Sequence, residues 1–123
     1  MKSVLNVEVS CYKSYSSKEP KTINLLSWLS SEKYAKEVLE LRAIENKAKR
    51  DEIKAGLPAI TVSGVFSPAR KEEHLVKHSG LICLDIDRKG NEHIANFEDL
   101  KKQLFNIKNV AYAGLSVSGK GQF

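Results

Sequence analysis

A chain of 123 residues, 41% hydrophobic and 28% charged, has the balance of one folded domain and not of a disordered tail. Twenty Lys and Arg against 15 Asp and Glu leave a net charge of +5, spread as 11 basic to 8 acidic over residues 1–60 and 9 to 7 over 61–123, which excludes a basic tail. No apolar stretch approaches the roughly 18 residues that span a bilayer, and MKSVLNVEVSCYKSY lacks the apolar core and cleavage site of a signal peptide, so the expectation is a single cytoplasmic domain over 1–123, off the membrane.

Residues 4–12 alternate, with Leu5, Val7, Val9 and Cys11 on one face and Asn6, Glu8, Ser10 and Tyr12 on the other, which predicts a strand with one wet face. The polar stretch 13–21, with Pro20, reads as a loop. Asn24 is placed to cap a short helix through Leu29, and Ser30 or Ser31 to cap a longer one over 32–55, ended by Gly56 and Pro58. Its outer face mixes both signs of charge, as a solvated helix does and a nucleic-acid-binding helix does not.

Residues 59–66 are rich in β-branched side chains and predict a second strand, with Gly64 marking a bulge or a close approach. Residues 71–78 read as one or two helical turns. The run LICLDID (81–87) predicts a strand buried on both faces. After a loop over 88–96, Asn96 is placed to cap a helix carrying Phe97, Leu100, Leu104 and Ile107 on one face, and 110–117 predicts the last strand. The order β-α-β-α-β-α-β implies an α/β (α+β) fold, a mixed sheet with packed helices. If the strands at 81–87 and 110–117 are parallel, they and the helix between them form a right-handed βαβ unit whose ligand site lies where the strands meet their following loops. Cys11 and Cys83, each among apolar neighbours, predict buried free thiols in a reducing compartment. Trp28 and the Tyr and Phe residues read as core.

Two motifs carry chemistry. Asp85 and Asp87 are two apart, so on a strand they face one side about 7 Å apart and repel by roughly 2 kcal/mol at an effective dielectric near 20. A divalent cation reverses that cost, and hard oxygen ligands suit Mg²⁺ or Mn²⁺ with a bound phosphate. The plain alternative is a turn at Asp87 into Arg88-Lys89-Gly90, with Asp85 paired to a base. The second motif is Ser116-Val117-Ser118-Gly119-Lys120-Gly121, in which glycines let backbone N–H groups approach an anion and Lys120 adds charge. GLSVSGKG matches the start of a P-loop, but Gly121 stands where Ser or Thr ligates Mg²⁺, and a glycine-rich hairpin turn is the plain alternative. His74 and His78 do not form HExxH and read as surface residues, as does His93.

Three blocks, 57–66, 79–87 and 112–121, in this order resemble the VirE-type N-terminal domain of mobile-element replication proteins, within the archaeo-eukaryotic primase or primase-polymerase superfamily. The resemblance implies a primase-polymerase-like fold in which Asp85 and Asp87 are catalytic and bind Mg²⁺ or Mn²⁺. It also implies that Ser116, Ser118, Gly119, Lys120 and Gly121 hold the phosphates of an incoming NTP or dNTP over a DNA template. Primer synthesis, a helicase-like ATPase farther along the protein, and a third carboxylate beyond Phe123, hence a domain incomplete at its C-terminus, belong to the same expectation. Gln122 and Phe123 stand where that superfamily carries a histidine, which keeps open a non-catalytic DNA-binding or regulatory module of the same fold. A haloacid-dehalogenase-like phosphotransferase, which also places DxD after an apolar strand, is a third reading; Arg88-Lys89 replace its usual Gly-Thr.

Overall fold

The computed structural model describes residues 3–116 and 121–122. It is a mixed α+β fold, as expected, but its sheets are antiparallel throughout and its element order is richer. Strand β1 (Glu8–Tyr12) lies between β2 (Lys21–Asn24) and β3 (Ala59–Thr61), antiparallel to both. β2 begins at the last residue of the stretch read as loop and is not among the predicted elements; Thr22 and Ile23 favour a strand once β1 offers its edge. Asn24 then caps α1 (Leu25–Leu29), its side-chain oxygen accepting from the Ser27 N–H at 3.0 Å.

The long helix predicted over 32–55 is two helices, α2 (Ala35–Ala43) and α3 (Lys47–Ala55). Ser31 does not cap α2: its hydroxyl accepts from the Lys33 N–H in a local turn, and the helix begins after Tyr34. Between the helices Ile44 is extended and Asn46 accepts from the Lys49 N–H at 3.2 Å, so the asparagine starts a new helix where the apolar spacing suggested continuity. Gly56 ends α3 as predicted.

The single strand predicted over 59–66 turns a corner at residues 62–63. β3 stays with β1, while β4 (Gly64–Phe66) pairs with β5 (Leu75–His78) in a second sheet. Gly64 is the close approach that the sequence suggested: a Cβ there would collide with the Lys77 carbonyl oxygen, and a bulge follows between Val65 and Phe66. A 3₁₀ turn (Glu72–His74) leads into β5, in place of the helical turns expected over 71–78.

This second sheet lies over the face of β1 predicted to be wet. Ser10 is fully buried, and its hydroxyl accepts from the Phe66 N–H at 2.8 Å, joining β1 to β4. Tyr12, on the same face, is fully buried, and the Arg70 guanidinium sits 4.7 Å from its ring centre. Val9, Leu25, Leu41 and Ala113 complete the small buried core. The other aromatic rings do not all join it: Tyr15, Phe105 and Tyr112 are exposed.

The largest departure is at 81–87. Residues 81–85 form no strand and have no ladder partner among the described residues, and only β6 (Ile86–Asp87) is paired. Ile82 is 76% exposed and Leu84 70%, so the strand predicted to be covered on both faces is bare. Cys11 and Cys83 are free, but Cys11 is only half-buried and Cys83 is exposed. Of the last strand predicted over 110–117, residues 110–114 are irregular, Leu115 makes an isolated bridge and residue 117 lies outside the described residues. Among the described residues the βαβ unit does not form, and β6 pairs antiparallel with β7 (Gly121–Gln122). Among the described residues, no helix is long and apolar enough to cross a membrane.

Candidate functional site

Asp87 ends β6, and its carbonyl accepts from the Asn91 side chain at 2.8 Å, folding the following loop back on the strand. Gly90, at φ +84°, makes the tight turn a side chain would resist, and its N–H donates to Glu92 at 3.0 Å. That bond, with Glu92's own N–H and then Arg88, holds the Glu92 carboxyl below its ordinary range despite slight desolvation. The loop closes at α4 (Phe97–Leu104), where the Asn96 side chain accepts from the N–H groups of Glu98 and Asp99 at 2.9 and 3.4 Å.

Asp85 lies one step before β6, in the unpaired segment. Partial burial pushes the Cys83 thiol up, and the Asp85 charge adds to this. That coupling is what alternation predicts for side chains two apart. Asp85 and Asp87 are both exposed and neither forms an ion pair among the described residues; of the plain alternative, the turn after Asp87 forms and the pairing of Asp85 to a base does not.

The second motif lies close by. Asp87 is opposite Gly121 and Ile86 opposite Gln122 in the β6–β7 ladder. Arg88, directly after Asp87, and Leu115, directly before Ser116, line one cleft of about 330 Å³ against the first turn of α4. Ser116 is half-buried, and its carbonyl accepts from the Arg42 guanidinium at 3.0 Å. Ser118, Gly119 and Lys120 lie outside the described residues. Arg42 was not singled out by the sequence. On a helix of mixed charge nothing marks one arginine, and its partner is 74 residues away.

The donor set can be weighed against a divalent cation. Two exposed carboxylates two residues apart are hard oxygen ligands of the kind Mg²⁺ and Mn²⁺ accept, with water and phosphate oxygens completing the shell. Among the described residues, no group of three or more His, Cys, Asp or Glu is placed to hold a metal, so the fit is to a cation shared with a ligand and not to an all-protein cage. His74 and His78 sit on a 3₁₀ turn and on β5, in the other sheet.

These features define a small antiparallel α+β domain with an acidic strand end beside a glycine-rich segment. The family model described as BT4734-like, N-terminal domain, matches residues 52–122, more than half of the chain, and the chain belongs to that family. This match corrects the resemblance to the VirE-type domain and the primase-polymerase superfamily. The blocks that carried it, 57–66, 79–87 and 112–121, all fall inside the matched region. Comparison with curated proteins and with solved structures gives no match.

Proposed function

We propose that this BT4734-like N-terminal domain binds the phosphates of a nucleotide or of DNA through a divalent cation held by Asp85 and Asp87. The observation that carries the reading is the β6–β7 register, with Asp87 opposite Gly121. It sets Asp87 beside Gly121 from positions more than 30 residues apart in the chain, which supports a site shared by the two motifs. In the proposal a bound Mg²⁺ or Mn²⁺ offsets the carboxylate repulsion and takes phosphate oxygens into its shell. Gly119, Gly121 and Lys120 contact the same phosphates through backbone N–H groups and the ammonium, with Ser116 and Ser118 beside them. Arg42, held at Ser116, adds positive charge at the edge of the site. With two carboxylates from the chain, the reading is one of binding, and no transfer step is assigned. The free thiols of Cys11 and Cys83 fit a cytoplasmic setting.

Calorimetric titration of the protein and ATP with Mn²⁺ tests this. The expected result is a saturable signal that disappears when Asp85→Asn and Asp87→Asn are combined. ATP binding of equal strength with and without Mn²⁺ contradicts the proposal and favours a metal-independent DNA- or nucleotide-binding module.

A further inference from the structure

The β4–β5 sheet carries a second cleft, of about 380 Å³, which shares no lining residue with the acidic site. Its apolar surface is Phe66 and Leu75. Among its other lining residues, Arg70, Lys71, His78 and Ser63 carry hydrogen-bond donors, against one carboxylate, Glu72.

Two of these donors are fixed in advance. Arg70 is seated over the Tyr12 ring, its guanidinium donates to the Tyr15 carbonyl at 3.2 Å, and its backbone N–H donates to the Lys18 carbonyl at 3.2 Å. A guanidinium has five N–H donors, so this seating leaves others for a ligand. His78 Nδ1 accepts from the Gly80 N–H at 2.8 Å, which places the proton of the neutral ring on Nε2 and makes that atom a donor. Lys71 and Glu72 form no ion pair among the described residues. With His78 neutral, the lining carries two positive charges and one negative.

We propose that this cleft binds a small organic phosphate, with the phosphate on Arg70, Lys71, His78 and Ser63 and its apolar or aromatic body on Phe66 and Leu75. A carboxylate can also accept four hydrogen bonds, but a phosphate monoester carries a charge of about −1.5 to −2 on three oxygens and so gains more from the two cations. The apolar floor adds affinity that inorganic phosphate does not gain. Glu72 opposes the anion and sets an upper limit on its affinity.

Phenyl phosphate is the probe, followed by amide shifts in ¹H–¹⁵N spectra of the whole chain. The expected result is saturable shifts at Ser63, Lys71, His78 and Gly80. Binding should weaken roughly tenfold in Lys71→Ala, the scale of a lost charge-assisted hydrogen bond, and tighten in Glu72→Gln. Both residues are exposed, so neither variant threatens the fold. Absence of saturable shifts, equal binding of inorganic phosphate or of benzoate, or indifference to both variants overturns the proposal.

Discussion

At the scale of single residues, Ser10 joins the two sheets. Its buried hydroxyl accepts from the Phe66 N–H, so Ser10→Ala leaves that part-buried donor without its partner. A cost of about 1–3 kcal/mol follows from an unsatisfied buried group. Urea unfolding should show a lower midpoint with an unchanged slope, because the surface exposed on unfolding stays the same. An unchanged midpoint would mean that the bond contributes nothing. The sequence marked Ser10 as solvent-facing because alternation shows which residues share a face, not what later covers that face.

Among the elements, the caps were the most legible feature. Asn24, Asn96 and Gly56 all end or start helices where the sequence placed them, since a cap depends on bonds within a few residues. Asn96→Ala should cost about 1 kcal/mol. It should also speed amide exchange in the first turn of α4, where Glu98 and Asp99 lose their acceptor; exchange equal to wild type would contradict that role. Elements that depend on distant partners were not legible. The run 81–85 has the composition of a covered strand, yet Ile82 and Leu84 face outward, because a strand forms only where a neighbour supplies its ladder. Residues 59–66 split for a related reason: β1 and β5 compete for them from two sides, and Gly64 permits the corner. For the candidate site, chemistry was legible from residue type and spacing at Asp85 and Asp87. The contribution of Arg42 depends on how α2 meets residue 116, and no local signal reports that.

For the whole molecule, two antiparallel sheets pack through β1 and β4, and a separate short ladder sets Asp87 opposite Gly121. The central claim is that this ladder makes one phosphate site from two distant motifs. Paramagnetic broadening by Mn²⁺ tests it most directly, because the effect falls off steeply with distance from the ion and requires no turnover. The account predicts that substoichiometric Mn²⁺ broadens the amides of Asp85, Asp87, Gly119 and Gly121 together, and that Asp85→Asn with Asp87→Asn removes the broadening from both segments. Broadening around the two acids that leaves Gly119 and Gly121 sharp, or broadening that survives the double substitution, would contradict it.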